Sequence, residues 1–379
     1  MIKYGIENTE FYQDILKNKR IGLITNPTGV DQQLKSSIDI LDQSFDLTAL
    51  FGPEHGVRGD IEAGVHVADY RDPKTGCPVY SLYGKNRKPT AEMLKDVDML
   101  CYDIMDVGAR FYTFIYTMAY AMMACKEHNI PFVVFDRPNP LGGEEIEGLL
   151  LDITYRSFVG YYPILQRYGL TPGELALLFN DAFEIGCELH VIPMIGWKRH
   201  MHFVDTKAIW VMPSPNIPTA ESVYTYMATC PFEGTNLSEG RGTTKPFSVI
   251  GAPWLKPLEV INEMKKINLE GVVFRPTSFT PTFSKHQGQF CQGVELHVTD
   301  RHTFNPVKTG YALFDIVRYL HSDFSCLAPY KEGMHPMIDL LTGSDFLRTN
   351  RLSIDELFAK MSLDEQVFKS MKTRYHLYE

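Results

Sequence analysis

The first 200 residues alternate short, almost wholly apolar runs with longer stretches whose apolar positions recur three and four apart. Residues 21–25 (IGLIT), 47–51, 98–105 and 131–135 (PFVVF) show little of the in–out alternation of a half-exposed strand, which marks strands buried on both faces. Residues 78–83 and 188–194 are further strands. Between them, residues 36–43, 91–97, 111–129 and 173–183 carry helical spacing. The stretch 111–129 is apolar nearly all round, which predicts a buried helix. Strands alternating with helices predict an α/β fold, a Rossmann-like, doubly wound and mostly parallel sheet. Ligands bind such sheets at the carboxyl ends of the strands. Three of these strands run into polar loops punctuated by glycine or proline: GPEHGVRG after Phe51, DVGAR after Met105 and DRPNPLGG after Phe135.

Past residue 200 the pattern changes. An irregular proline-rich passage (213–218) and a long polar loop (234–247) precede β-type segments at 272–282 and 294–299 and helices from 309 to the end. This predicts a Rossmann-like catalytic domain over residues 1–210 and a smaller α+β C-terminal domain over 211–379 that closes the cleft. A net charge of −9 argues against a nucleic-acid partner but leaves room for a locally basic pocket. The seven cysteines form no CxxC pair, so buried free thiols are expected. The longest apolar stretch, 111–125, is too short to span a bilayer, so no membrane partner is expected. No signal peptide is visible. The expected compartment is the cytoplasm as the chain stands, or outside it if a signal has been removed.

The loops carry the candidate chemistry. Glu54, held between Pro53 and glycines, suits a general acid in a cleft, with His55 beside it; the plainer reading is a surface pair with Arg58. Asp103 and Asp106 could anchor sugar hydroxyls or set up Arg110, or Asp106 could cap the following helix. Asp136, Arg137 and Asn139 sit in a proline-stiffened turn suited either to positioning or to structure. The loop EGTNLSEGRGTTKPF supplies Glu233, Asn236, Glu239 and Arg241, with Glu239 the best second carboxylate; its plain reading is a mobile surface loop. Dinucleotide, P-loop, zincin and serine-hydrolase motifs are missing, and His200, His202 and His286 lack metal-ligand spacing. Neither a cofactor nor a metal is called for.

Taken in order, GPEHGVRG, SLYG, DVGARFYT, DRPNPLGG with Glu147-Gly148, GELA, PSPNIPT, EGTNLSEGRGTTKPF and GAP closely resemble the bacterial exo-β-N-acetylmuramidases of glycoside hydrolase family 171. The likeness runs from about Arg20 to the closing RYHLY. It implies a Rossmann-like domain plus a smaller domain, an active site in the cleft between them, and release of N-acetylmuramic acid (MurNAc) from the non-reducing end of peptidoglycan-derived glycans, as in cell-wall recycling. It also implies Glu54 as catalytic acid and places Asn216, Glu233, Asn236, Glu239 and Arg241 at the cleft. One departure stands out: Tyr168 occupies a position where relatives typically carry histidine.

Glycoside cleavage needs a protonated carboxyl for the leaving oxygen and a second carboxylate as nucleophile or base. Glu54 and Glu239 fill these roles in this reading, with Asp103 and Asp106 in reserve. An acetamido oxygen of the substrate attacking in place of the second carboxylate is the other route. The lactyl carboxylate of MurNAc calls for a charge-assisted donor, for which Arg58, Arg110, Arg241 and the Lys285–His286 pair are candidates. The competing class is a non-catalytic glycan- or muropeptide-binding protein on the same scaffold.

Overall fold

A computed structural model describes residues 2–54, 56–58, 70–84 and 86–379. The strands β1 (Arg20–Thr25), β2 (Asp46–Gly52), β3 (Tyr70–Arg71), β4 (Pro78–Ser81), β5 (Met99–Asp103), β6 (Phe132–Phe135) and β7 (Leu189–Ile192) form one sheet in the order β3-β4-β2-β1-β5-β6-β7. Every pairing is parallel except that of the short edge strand β3 with β4. All positions of β5 and β6 are buried, which explains their unbroken apolar character. Helices α1 (Thr9–Leu16), α2 (Ser37–Ser44), α3 (Ala91–Leu94), α4 (Phe114–His128) and α5 (Pro172–Asp181) connect or flank the strands. The start of α5 is written locally: Thr171 and Glu174 form a reciprocal capping box, and Pro172 opens the first turn.

The strand order reverses between β1 and β5, the switch point at which doubly wound proteins often hold a dinucleotide. Here that crevice is filled with protein. Arg137, at the end of β6, donates Nη2–H to Asp103 at 2.8 Å and to the Val30 carbonyl at 2.9 Å. The Ser37 hydroxyl also reaches Asp103. The void left beside Arg137 is about 10 Å³, no larger than one water molecule.

The second part of the chain contains α6 (Ser222–Thr229), β8 (Val249–Ala252), α7 (Pro257–Ile267), β9 (Val272–Phe279), β10 (Cys291–Val298), α8 (Pro306–Leu320), α9 (Met337–Thr342), α10 (Phe346–Thr349) and α11 (Ile354–Lys372). Its sheet is antiparallel, in the order β8-β10-β9. Helices α6 and α8 approach so closely that a Cβ at Gly310 would lie 2.0 Å from the Ala228 carbonyl oxygen. The chain end then returns to the first sheet. Lys372 donates to the Gly143 and Gly169 carbonyls, and the Tyr378 hydroxyl reaches Asp136. The seven cysteines are all free, six of them buried.

Candidate active site

The turn after β2 answers why a glutamate is bracketed by glycines. Gly56 adopts φ +76° and its N–H donates to the Pro53 carbonyl at 3.1 Å. A Cβ on Gly52 would stand 3.2 Å from the Gly56 Cα, so the backbone folds back on itself only because side chains are missing there. The turn presents Glu54 to a cavity of about 590 Å³ between the two parts of the chain. His55, expected beside it, lies outside the described residues.

Arg58 does not pair with Glu54. Its guanidinium is held bidentately by Asp72, at 2.6 and 3.0 Å, on the other side of the turn. Glu54 instead receives a hydrogen bond from the Tyr83 hydroxyl. Burial, and then the Glu54 charge, push the Tyr83 phenol up to about 12, so it remains a donor.

The opposite wall comes from the polar loop after α6. Arg241 donates to Glu233 Oε1 through Nε at 3.0 Å and Nη2 at 2.5 Å, and packs over the Phe247 ring. Both donors fall on Oε1, and Oε2 takes no hydrogen bond among the described residues. The Glu233 side chain is 26% exposed. Burial pushes its carboxyl up, Arg241 pulls it back, and the neighbouring Glu239 charge adds to the rise.

Glu239, expected as the second carboxylate, lies beneath this wall at 2% side-chain exposure. Its Oε1 is 3.4 Å from Arg241 Nε and its Oε2 is 2.8 Å from Lys285 Nζ. The three ammonium protons of Lys285 are spent on the carbonyls of Phe232, Thr235 and Leu237, so Glu239 meets its charge without taking a hydrogen from it. The loop is therefore fixed rather than mobile. A two-bond ladder between Ser238 and Gly251 and a clamp from Asn236 to Asp323 and Ser325 complete its anchoring.

Of the expected site residues, Glu54, Asn216, Glu233 and Arg241 line the cavity. Several others are placed elsewhere, each for a physical reason. Asp103 and Arg137 neutralise each other inside the switch-point crevice. Arg110 is fully buried and donates to the Leu149, Ile164 and Leu341 carbonyls, tying α9 to the first sheet. Asp136 accepts from Gly173 N–H at 2.7 Å and the Thr171 hydroxyl at 2.8 Å, seating the start of α5. Asn139 bridges Leu141 N–H and the Leu170 carbonyl. Asn236 is the loop clamp just described, and the His286 ring is 2.7 Å from its carbonyl. Lys285 is the carbonyl hub.

Asp106 is no helix cap, since Thr113 occupies that position for α4. It accepts from Gly108 N–H at 2.8 Å and from the Tyr168 hydroxyl, so the departing tyrosine is a buried partner of Asp106 and not part of the cavity wall. Burial pushes the Asp106 carboxyl up to about 7, against those hydrogen bonds. A carboxyl whose folded pKa exceeds its unfolded one stabilises the fold at acid pH, and that stability is lost as pH rises through the folded value. Asp106→Asn is therefore expected to remove part of a decline in stability between about pH 4 and 7, a difference on the order of 1–4 kcal/mol by pH 8. Unfolding midpoints measured at pH 5 and pH 8 check it; parallel shifts of both proteins would contradict it.

The cavity also recruits residues that sequence motifs did not single out as site residues: Tyr83, Arg87, Tyr112, Arg156 and Tyr226. Arg87 stacks on Phe158 at 4.2 Å and Arg156 on Tyr161 at 4.7 Å, and neither meets a carboxylate among the described residues. A second cavity of about 610 Å³ lies between α6 and β10. Size does not separate the two, but chemistry does. The buried carboxylate of the second, Glu295, is already held by Lys245 and Arg275.

This architecture has close counterparts. Residues 21–221 match the family model described as exo-beta-N-acetylmuramidase NamZ, N-terminal, and residues 224–378 match its C-terminal counterpart. The peptidoglycan beta-N-acetylmuramidase NamZ of Bacillus subtilis (strain 168) is 54% identical over 373 residues, which cover 97% of this chain and 89% of that protein. Two crystal structures of DUF1343 family proteins from Bacteroides fragilis NCTC 9343 superpose over 100% of this chain and 99% of theirs. Their TM-scores are 0.90 and 0.80, at 40% and 33% identity.

Proposed function

The chain belongs to the exo-beta-N-acetylmuramidase NamZ family, and on that premise we propose that it releases MurNAc from the non-reducing end of peptidoglycan-derived glycans. The observation that carries this reading is one cavity lined by Glu54 from the first sheet and Glu233 from the second part of the chain. Two carboxyls facing one sugar site are what glycoside hydrolysis needs. Glu54, oriented by Tyr83, gives its proton to the leaving oxygen. Glu233 takes the second-carboxylate role through Oε2, the oxygen that Arg241 leaves unbound. Glu239 acts on the reaction only through Arg241, as a positioning residue. The aromatic rings of Tyr83, Tyr112, Tyr226 and Phe247 offer the sugar apolar faces. Incubation with the disaccharide MurNAc–GlcNAc is expected to yield free MurNAc by mass spectrometry. Intact disaccharide after prolonged incubation with folded protein would overturn the assignment.

The lactyl carboxylate of MurNAc falls to Arg87 and Arg156, the cavity arginines with no carboxylate partner among the described residues. Arg110 and Arg58 are committed elsewhere, and Arg241 is already balanced by two carboxylates. A charge-assisted bond contributes about 1.5–3 kcal/mol, so Arg87→Met and Arg156→Met should each raise KM for MurNAc–GlcNAc roughly 10- to 100-fold. The same glycan with its lactyl carboxylate converted to an amide should be unaffected by either change. Equal losses on both glycans would assign these arginines a merely structural part.

A further inference from the structure

Of the histidines that show no metal-ligand spacing in the sequence, His202 acquires it in the fold, beside Glu145 and His302. Glu145 lies on the loop after β6, His202 directly before the short helix Phe203–Thr206, and His302 in the turn between β10 and α8. His202 Nε2 is 3.5 Å from Glu145 Oε2, and His302 Nδ1 is 3.8 Å from Glu145 Oε1. One ligand atom from each residue falls within 4.8 Å of the others. Tetrahedral zinc with bonds of 2.0–2.1 Å holds its ligand atoms roughly 3.3–3.5 Å apart, so a slight contraction completes the geometry.

Three observations mark this as a built site. His202 is wholly buried, and its Nε2 has no hydrogen-bond partner although it points at the carboxylate. Its other nitrogen, Nδ1, is 2.5 Å from the Tyr224 hydroxyl. In the tautomer whose Nδ1–H donates to that oxygen, the Nε2 lone pair faces Glu145 and is free to ligate a cation. Such an outer partner on the far ring nitrogen is what orients a metal-bound histidine. Finally, Gly142 sits at φ +79° where a Cβ would come within 3.0 Å of His202 Nε2 and 3.3 Å of Glu145 Oε2, so only glycine leaves the space open. Arg167 does not cancel the site. It is 3.4 Å from Glu145 but only 2.9 Å from Glu147, its principal partner.

We propose that Glu145, His202 and His302 bind one zinc-class divalent cation, with a fourth position open to water. Two imidazoles and a carboxylate suit zinc better than magnesium or calcium, which favour all-oxygen shells. The ion joins the loops after β6 and β7 to the turn after β10, across a seam already bridged by the Arg301–Asp205 ion pair at 2.5 Å. None of its ligands lines the Glu54 cavity, so its part is to fasten the second sheet's connection to the first.

The test uses untagged full-length protein stripped with a chelator and titrated with zinc chloride. Calorimetry and the thermal midpoint serve as readouts, so neither depends on glycosidase activity. Wild type is expected to bind one equivalent and to gain stability in proportion to the logarithm of free zinc. His302→Ala changes a half-exposed side chain and should leave the metal-free midpoint unchanged while weakening binding by about 100-fold or more. Tyr224→Phe should weaken it about 10-fold, the loss of an outer partner. Absence of stoichiometric binding in wild type, or an undiminished equivalent in both His302→Ala and Glu145→Gln, would overturn the proposal.

Discussion

Glu54→Gln is expected to lower kcat on MurNAc–GlcNAc by roughly 10²–10⁴, the usual contribution of a positioned general acid, while glycan affinity should stay close to that of the wild type. The amide keeps the carboxylate's shape and still accepts the Tyr83 hydrogen bond, so the cavity wall is preserved. What it lacks is a proton to give. Steady-state rates and calorimetric binding to the same disaccharide separate the two effects. A glycan-binding protein on this scaffold would show the opposite pattern, with affinity lost and no turnover to lose. Tyr83→Phe should produce the same direction at smaller size, because it removes orientation without removing the proton.

Arg137→Met should cost about 3–5 kcal/mol of stability and leave kcat of the folded protein unchanged. Asp103 is wholly buried and its charge is balanced by the Arg137 guanidinium. Removing the cation strands a carboxylate inside the sheet, where burial heavily disfavours its charge. The Ser37 hydroxyl alone cannot replace the lost pairing. Chemical denaturation gives the stability and initial rates below the transition give kcat. A change in KM at unaltered stability would instead return Arg137 to the sugar site. The comparison is informative because Asp103 and Arg137 occupy strand ends that resemble the Glu54 turn in sequence.

That resemblance is why the sheet was legible and the site only partly so. Strands β1, β2, β5 and β6 announce themselves because burial on both faces demands unbroken apolar runs. The two-residue β3 and the four-residue β8 (VIGA) offer too little pattern to read. The carboxyl edge of the sheet, however, serves two crevices. One opens beside β2 and β4 toward the second part of the chain, and the other lies between β1 and β5. Sequence brings Glu54, Asp103, Asp106, Asp136, Arg137 and Asn139 to that edge but does not say which crevice each enters.

The choice between Glu233 and Glu239 has a similar cause. They stand six residues apart in one polar loop, and a lysine arriving from residue 285 decides which is buried. Arg87 and Arg156 belong to no motif. Lone arginines in polar loops give no signal until the fold sets them on a common wall. The Glu145–His202–His302 cluster was equally invisible, its members being spread over more than 150 residues.

The measurement that tests the account most directly compares kcat/KM of wild type and Glu54→Gln on two substrates, MurNAc–GlcNAc and an aryl MurNAc glycoside whose phenol leaves without needing a proton. If Glu54 supplies the proton, the variant loses roughly 10²–10⁴ on the disaccharide and little on the aryl glycoside. Equal losses on both would contradict proton donation by Glu54 and leave it only a part in holding the sugar.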